Sequence, residues 1–283
     1  MRLVVLVCLT MVAFALNSVL NRAAVDGGFA DASAFAIVRV LAGVAVLLMV
    51  VSVRRGARVE IFSARRWFGG AALAVYMIGF SFAYVSLDAG LGALILFGTV
   101  QVSLFLHAAV YAERPSRFQI IGAAVAFAGL ALALWPEEGR LGAGSGAVFM
   151  FAAGLGWAAY TLAGRGAKDP VAVTAAHFVL CVPFLFVLLI QPGLEMTLMG
   201  WALAILSGAV TSGLGYTLWY SVLPGLPGAR AAVVQLSVPI IAIVLGALLL
   251  QEAIGLKVVF AAVLVVGGIG FALISPKAQA GRR

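Results

Sequence analysis

Apolar runs long enough to cross a lipid bilayer follow one another along nearly the whole chain. A membrane-spanning helix needs about 20 consecutive, mostly apolar residues. The sequence of 283 residues holds ten such runs, separated by short polar segments. They lie near residues 3–25, 31–53, 67–87, 90–112, 118–135, 144–164, 171–190, 198–221, 229–251 and 257–275. The sequence therefore predicts an all-α integral membrane protein with ten transmembrane helices. These spans leave only short loops between them.

The composition argues against the other broad classes of protein. Hydrophobic residues make up 64% of the chain and charged residues 10%, whereas about 25% of the residues in an average globular domain are charged. The net charge of +8 does not indicate nucleic acid, because the basic residues are scattered through the gaps between apolar runs. Cys8 and Cys181 stand alone in separate runs, so we expect no disulfide. The first run continues past Ala15, which favours a retained helix over a cleaved signal peptide.

The distribution of Lys and Arg predicts the orientation of the spans. With ten spans and a cytoplasmic N-terminus, fourteen of the eighteen basic residues fall on the cytoplasmic side and three on the outer side. Cytoplasmic loops of membrane proteins carry such an excess of positive charge. We therefore expect both termini in the cytoplasm.

The two halves of the chain resemble each other. Shifts of 136 and 139 residues bring glycine, tyrosine and leucine positions of the two halves into register, and the second shift places Glu113 on Glu252. Five spans per half is an odd number, so the second half would cross the membrane in the opposite direction. The sequence predicts two inverted repeats, residues 1–139 (helices 1–5) and 140–283 (helices 6–10). In transporters with this arrangement the substrate site lies near the middle of the bilayer.

Polar and aromatic side chains inside the predicted spans are candidates for a substrate site, because amides and indoles need partners in hydrocarbon. The substrate-binding residues predicted are Phe14, Asn17, Arg39, Tyr76, Phe80, Gln101, Trp157, Tyr160, Tyr216 and Gln235. Core packing is the alternative for the aromatic residues, and helix bridging is the alternative for the glutamines. His107 and His177 are solitary, which favours hydrogen-bonded core positions over a metal site.

Arg39 is a fixed positive charge inside an apolar run, about 12 Å from the outer end of helix 2 at 1.5 Å per residue. A lipid-facing arginine at the bilayer centre costs about 2.5–3.5 kcal/mol or more. The side chain could snorkel outward to the lipid headgroups. It could instead face the bundle, bonded to carbonyls or to the amides of Asn17 and Asn21, and either brace helix 1 or meet a substrate carboxylate. The residues alone leave these alternatives open.

Several stretches resemble the drug/metabolite transporter superfamily, specifically its ten-helix EamA type. The resemblance rests on Arg39, on GARAAVVQLSVPIIAIVLGALLLQEAIG at 228–255 and on GGIGFALI at 267–274. The stretch SLDAGLGALILFGTVQVSLFLHAAVYAERPS at 86–116 is similar to the branch that contains bacterial aromatic amino-acid exporters. The resemblance implies cytoplasmic termini, a multi-pass position in the bacterial cytoplasmic (inner) membrane, and a central cavity formed mainly by helices 1, 3, 4, 6, 8 and 9.

Together these features predict a secondary transporter that exports aromatic or neutral amino acids and related small metabolites by alternating access. A broad exporter of drugs or of another metabolite class is one alternative, and a non-transporting membrane sensor or scaffold is the other. The sequence has no P-loop and no plausible nucleophile–base pair, so we expect neither an enzyme nor direct use of ATP.

The remaining expectations concern coupling and partners. The carboxylates Asp88, Glu113 and Glu252 all fall at helix ends, which argues against a proton relay through a buried carboxylate. We expect no cofactor and no metal. The expected partners are a small-molecule substrate and the lipid bilayer, without nucleic acid, and the sequence leaves a homodimer open.

Overall fold

The computed structural model describes residues 2–54, 59–111, 116–135, 143–190, 194–222, 226 and 234–274. Within these ranges the chain is helical almost throughout, and the β-type pairing found there is an isolated bridge between Ala30 and Met196. The predicted all-α class is confirmed. Glu113, which the repeat comparison used, lies outside the described residues, as do residues 228–233 of the C-terminal signature.

The helices follow the order of the apolar runs. The first half contains α1 (Arg2–Val25), α2 (Ala32–Ser52), α3 (Ala64–Ala83), α4 (Ala89–Tyr111) and α5 (Arg117–Leu134). The second half contains α6 (Ala143–Gly164), α7 (Pro170–Cys181), a 3-10 helix (Val182–Ile190), α8 (Leu198–Leu206), a π-helix (Ser207–Leu214), α9 (Gly215–Val222), α10 (Ser237–Leu250) and α11 (Leu256–Ile274). Predicted helix 8 thus corresponds to α8, the π-helix and α9 together, while predicted helices 9 and 10 correspond to α10 and α11.

Six helical stretches of the described chain are long and apolar enough to cross a membrane. They are Arg2–Val25, Ala32–Ser52, Ala89–Tyr111, Gly144–Gly164, Pro170–Ile190 and Leu198–Trp219. Shorter apolar helices occupy Arg117–Ala133, Ser237–Leu250 and Leu256–Ala272. Large apolar side chains such as Leu48, Phe127 and Leu248 point outward from the bundle. So many exposed apolar residues are expected of a protein surrounded by lipid.

Polar caps explain where several helices begin. The side chain of Ser63 accepts a hydrogen bond from the backbone amide of Arg66 at the start of α3. The side chain of Thr197 accepts one from the backbone amide of Gly200 at the start of α8. Asp169 accepts from two backbone amides of α7, whose first residue is Pro170. Side-chain oxygens at these positions pair with amides that have no partner inside the helix, and proline fits the first turn because it has no amide hydrogen to satisfy.

Two spans contain irregular helical segments. The 3-10 segment begins at Val182, next to Pro183, whose nitrogen cannot donate a hydrogen bond. The π-helix follows α8 without a break, and it packs on α2 at Gly208, where a side chain would collide with the backbone carbonyl of Arg39. Segments of π-helix widen one turn of the backbone and often occur at functional sites. The sequence analysis did not predict the π-helix.

Small residues allow close approach between the packed helices. A side chain at Gly79 of α3 would collide with the backbone of Phe149 in α6. A side chain at Gly156 of α6 would collide with the backbone of Ala72 in α3, so each helix contributes a glycine to the contact between them. Close helix contacts of this kind are typical of membrane proteins. Around the centre of the bundle, α4 contacts α6 and α10, and α1 contacts α9 and α10. These elements position the site.

Candidate functional site

A large cavity in the bundle has a volume of about 610 Å³. It is lined by α4, α5, α6, α9, α11 and the residues just before α10, and it extends to the turn that joins α6 and α7. Five predicted substrate-binding residues line it, namely Gln101, Trp157, Tyr160, Tyr216 and Gln235. The structure therefore brings these five residues, which come from both halves of the sequence, to one surface.

The wall of this cavity is mainly apolar, with a few polar groups. Gln101 and Gln235 contribute side-chain amides, and Trp157, Tyr160 and Tyr216 contribute aromatic rings. No Asp or Glu occurs in the part of the lining that the structure describes, where Arg165 is the charged residue. Apolar walls with a few directed polar groups are typical of small-molecule sites. Such a wall suits a flat or apolar ligand bearing a neutral or anionic head.

A second, much smaller cavity of about 20 Å³ lies deeper in the bundle. Its lining includes the predicted residues Phe14, Asn17, Tyr76 and Phe80, and it shares Trp157 and Tyr216 with the large cavity. This volume holds about one water molecule.

Trp157 is central to the aromatic contacts here. Its ring centroid lies 4.8 Å from that of Tyr76, 5.0 Å from that of Tyr216 and 5.2 Å from that of Tyr160. The ring of Phe14 lies 5.8 Å from that of Tyr216. Aromatic pairs at these separations attract each other beyond the burial of their area. Trp157 and Tyr216 thus separate the large cavity from the small one.

Arg39 is fully buried and does not snorkel to the lipid headgroups. Its Nη2 donates to the hydroxyl of Tyr76 at 2.9 Å, and its Nε donates to Oγ of Ser212 at 3.3 Å. The guanidinium carbon lies 4.8 Å from the ring centroid of Phe80 and 5.3 Å from that of Tyr76. An arginine over aromatic faces gains cation–π attraction. The inward orientation was one of the sequence alternatives, but Tyr76 and Ser212 replace the expected partners Asn17 and Asn21.

Asn17 extends this polar network from α1 to α3 and the π-helix. Its Nδ2 donates to the Tyr76 hydroxyl at 3.3 Å. Ser207 Oγ donates to Asn17 Oδ1 at 2.7 Å, and Thr211 Oγ1 lies 3.0 Å from the same oxygen. Together with Arg39, these side chains join α1, α2, α3 and the π-helix. Hydrogen bonds between buried polar side chains of different helices fix those helices in one register.

The sequence did not identify Ser207 as part of this network. Ser207 lies one turn before Thr211, whose Oγ1 is 2.8 Å from the backbone carbonyl of Ser207, and the Ser207 side chain itself contacts Asn17 on α1. A spacing of four residues between Ser207 and Thr211 was the available signal. In an ordinary helix such hydroxyls bond their own backbone, so this spacing by itself predicts no contact between helices.

A cluster of ion pairs closes the opposite end of the bundle from the α6–α7 turn. Arg22 lies 2.9 Å from Asp26, 3.6 Å from Asp88 and 3.4 Å from Glu252. It also donates to the backbone carbonyl of Tyr84 at 3.0 Å. The side chains of Arg22 and Glu252 are 13% and 11% exposed, so this cluster is largely shielded from solvent. It joins the end of α1, the start of α4 and the end of α10.

Glu252 holds the start of α4 through its backbone. Both carboxylate oxygens accept from the amide of Ala89, at 2.8 and 2.9 Å. A negative charge at a helix N-terminus is favourable because the free amides there carry partial positive charge. The preceding residue, Gln251, has φ of 56°, a left-handed conformation that costs a non-glycine residue about 1–2 kcal/mol. This turn ends α10 and directs Glu252 towards α4.

In the part of the chain that the structure describes, the two histidines lie apart from other candidate metal ligands. Within the described chain there is no group of three or more His, Cys, Asp and Glu side chains that could hold a metal ion. His177 is fully buried beside the ring of Tyr160, with 5.3 Å between the ring centroids. Neither of its ring nitrogens has a hydrogen-bond partner among the described residues, so the expected hydrogen-bonded histidine is wrong for this position.

Comparison with known proteins relates the chain to membrane transporters. Residues 144–274 match the model of the EamA-like transporter family. An uncharacterized protein of Pseudomonas aeruginosa is 43% identical over 283 residues, which cover 99% of this chain and 98% of that protein. An uncharacterized transporter of Archaeoglobus fulgidus is 24% identical over 204 residues, 70% of this chain and 72% of that protein. A protein of known crystal structure shares the fold with a TM-score of 0.66, 18% identity and coverage of 95% and 98% of the two chains.

Proposed function

We propose that this chain, which belongs to the EamA-like transporter family, is a secondary transporter that exports aromatic and neutral amino acids and related small metabolites by alternating access. The family makes it a multi-pass membrane protein that carries small molecules, and the family is not one of enzymes. The choice of amino acids as substrates rests on the cavity of about 610 Å³. Its aromatic rings match the apolar side chain of such a substrate, and its two glutamine amides match the polar groups. This volume lies in the range of small-molecule sites, about 300–1,000 Å³.

The contrast between the two ends of the molecule supports alternating access. The large cavity reaches the α6–α7 turn, whereas ion pairs of Arg22 hold α1, α4 and α10 together at the other end. A transporter that exposes its site to one side at a time needs such a difference. From the distribution of Lys and Arg, the α6–α7 turn is cytoplasmic in this proposal, so the conformation is open to the inside.

The proposal includes ten spans in two inverted repeats, residues 1–139 and 140–283, with both termini in the cytoplasm. Contacts between helices support this arrangement. If each helix of the first half is replaced by the corresponding helix of the second half, and the reverse, several contacts become other contacts that the structure contains. α3 packs on α6 as α8 packs on α1, and α4 packs on α6 as α10 packs on α1. Three further contacts each join two corresponding helices of the two halves, so the exchange leaves them unchanged. They are the contacts of α5 with α11, of α2 with α7 and of α4 with α10. The expected location is the bacterial cytoplasmic (inner) membrane.

The ten predicted residues take different roles in this proposal. Trp157, Tyr160 and Tyr216 receive the apolar side chain of the substrate, and Gln101 and Gln235 receive its polar groups. The remaining residues line or support the deeper cavity, where Arg39 acts through Tyr76 because it is not part of either cavity wall. Arg39 is therefore a positioning residue that sets the aromatic wall.

Counterflow into proteoliposomes tests the proposal. Vesicles are loaded in turn with phenylalanine, tryptophan, leucine, alanine and a cationic amphipathic drug, and entry of the labelled compound is measured. We expect counterflow of the aromatic and neutral amino acids. Equal counterflow of the drug would favour the broad exporter instead, and no counterflow of any amino acid would contradict the proposal.

A substitution in the same assay tests the aromatic wall. Trp157→Ala should weaken transport of aromatic substrates by about 1–3 kcal/mol in apparent affinity, with little effect on alanine, because stacking is lost. Trp201→Ala is the matched control, since Trp201 is exposed on the outside of α8. Equal loss for all substrates would assign Trp157 to core packing alone.

A further inference from the structure

A third cavity, of about 350 Å³, lies at the same end of the bundle as the mouth of the large cavity. It is bounded by the start of α3, the end of α6 and the start of α7. The segment Gly164–Ala167, which is the turn between α6 and α7, lines both this cavity and the large one. The two cavities therefore meet at this turn.

The lining of this third cavity carries an excess of positive charge. Four basic side chains line it, those of Arg65, Arg66, Arg165 and Lys168, against the two carboxylates of Glu60 and Asp169. This excess of two positive charges lies beside the entrance to the large cavity. No carboxylate occurs in the part of the large cavity's lining that the structure describes. A concave surface with one sign of charge focuses its field and raises the local concentration of oppositely charged ligands.

Some of these charged groups already have structural partners. Arg65 donates to the backbone carbonyls of Ala163 and Arg165, at 2.8 and 2.6 Å, and so satisfies the end of α6. Asp169 accepts from Arg54 at 2.9 Å and from the first amides of α7. These contacts fix the shape of the cavity. They leave its other basic groups for a ligand.

Three basic side chains have no such contact. Within the described chain, no hydrogen bond or ion pair engages the side chains of Arg66, Arg165 and Lys168. Arg66 is half-buried, while Arg165 and Lys168 are exposed towards the same opening. Glu60, the second carboxylate of the lining, is exposed. Arginine forks and lysine ammonium groups bind carboxylate and phosphate oxygens more strongly than neutral donors do.

We infer that the third cavity is an anion-binding vestibule, in which Arg66, Arg165 and Lys168 capture the carboxylate or phosphate group of a substrate before it enters the large cavity. The inference rests on the proposed function and narrows it to substrates that carry an anionic group. Substrates with a net positive charge are repelled at this mouth. An anionic lipid headgroup has the same chemistry as such a substrate, so the experiment separates the two sources.

A charge series built on one aromatic side chain tests the vestibule. At about pH 6, below the pKa of α-amino groups, N-acetylphenylalanine, phenylalanine and phenylalanine methyl ester carry net charges of −1, 0 and +1. Each competes with labelled phenylalanine for counterflow in vesicles of phosphatidylcholine alone. For the wild-type protein we expect the anion to compete best and the cationic ester worst. High salt should reduce this difference because it screens exposed charges.

Neutral substitutions at the vestibule should remove the preference. Arg66→Gln and Lys168→Gln should each raise the half-inhibitory concentration of the anion about two- to fivefold, which is the effect of one exposed charge, and leave that of N-acetylphenylalanine amide unchanged. Arg117→Gln is the matched control, since Arg117 is an exposed residue at the start of α5 that lines neither cavity. The control Arg117→Gln should leave both the charge series and the maximal rate unchanged.

Each other outcome decides against the inference. Equal effects of all three substitutions would mean that only the net charge matters, and an unaltered charge series in Arg66→Gln and Lys168→Gln would mean that the cavity binds no substrate anion. If added phosphatidylglycerol changed transport by the wild type but not by these variants, the ligand would be the lipid. Counterflow that is absent for every compound contradicts the proposed transport itself, so the two failures are distinguishable.

Discussion

The two ends of the bundle use their charged residues differently. At the closed end, Arg22 meets three carboxylates and a backbone carbonyl, and the side chains of Arg22 and Glu252 are nearly buried. At the open end, four basic residues surround a cavity, and the pair of Arg54 with Asp169 is 43% and 31% exposed. Opposite charges in contact allow helix ends to pack, whereas an excess of one sign keeps water and counter-ions between them.

The largest effect is expected from the closed end. Arg22→Met keeps an apolar side chain of similar length but leaves Asp88 and Glu252 without their cation. Removing one partner of a buried ion pair costs about 3–5 kcal/mol, and because this cluster is partly exposed we expect about 3 kcal/mol. The measurement is the free energy of unfolding in detergent.

A second variant separates loss of charge balance from loss of packing at that end. Arg22→Met combined with Glu252→Gln should recover part of the loss, because the carboxylate left without a partner is then neutral. If the single and double variants are equally destabilised, the ion pairs do not hold the closed end, and the comparison of the two ends fails.

The next largest effect is expected from Arg39→Lys, at the centre between the two ends. Lysine keeps the charge but cannot donate to Tyr76 and Ser212 from a planar fork. We expect a loss of about 2 kcal/mol in stability, the cost of buried hydrogen bonds left unmade, and a common decrease of transport for all substrates. Melting and counterflow of a matched amino acid and amine are measured on the same preparations. A lysine variant that behaves as wild type would exclude a bracing role.

A smaller effect is expected from the pH dependence of the closed end. Burial raises the pKa of Glu252 above its ordinary value of 4.5, and nearby Asp88 adds to this, although the amide of Ala89 and the charge of Arg22 act in the opposite direction. A carboxyl group with a raised folded-state pKa contributes stability that is present below the unfolded pKa and is lost as the pH rises through the folded pKa. As the pH rises above about 4.5, the melting temperature of wild type should therefore fall more than that of Glu252→Gln. Parallel curves for the two proteins would contradict this assignment.

The smallest effect is expected from the ion pair at the open end. Arg54→Ala removes the partner of Asp169, but the side chain of Arg54 is exposed and that of Asp169 is partly exposed, so the cost should be about 0.5 kcal/mol or less. Asp169→Ala is the matched variant, and it should cost more, about 1 kcal/mol, because it also removes the cap of α7. A loss from Arg54→Ala as large as that from Arg22→Met would erase the difference between the two ends.

The sequence predicted the helices well because lipid imposes a simple rule of length and polarity on each span. The apolar runs near 3–25 and 31–53 correspond to α1 and α2 within a few residues. It also singled out Trp157, Tyr216 and Gln235, which share one cavity, because polar and aromatic groups are rare within such runs.

Other features depend on contacts that no local pattern contains. Arg22, Asp88 and Glu252 are far apart in the sequence and form one cluster only after three helices have packed. The π-helix has no composition that distinguishes it from an α-helix, and its Ser207 and Ser212 contact other helices that lie far away in the sequence. The partners of Arg39 were misassigned for the same reason. The choice between Asn17 and Tyr76 depends on how α1 and α3 are rotated, which periodicity does not determine.

The hydroxyl group of Tyr76 has a fixed hydrogen-bond polarity. Its oxygen accepts from Nη2 of Arg39 at 2.9 Å and from Nδ2 of Asn17 at 3.3 Å, and these two bonds use both lone pairs. The phenolic hydrogen is then all that Tyr76 can offer to a molecule that reaches the deeper cavity. A ligand atom that contacts this hydroxyl must be an acceptor, such as a carbonyl or carboxylate oxygen, while an ammonium group would find no lone pair there.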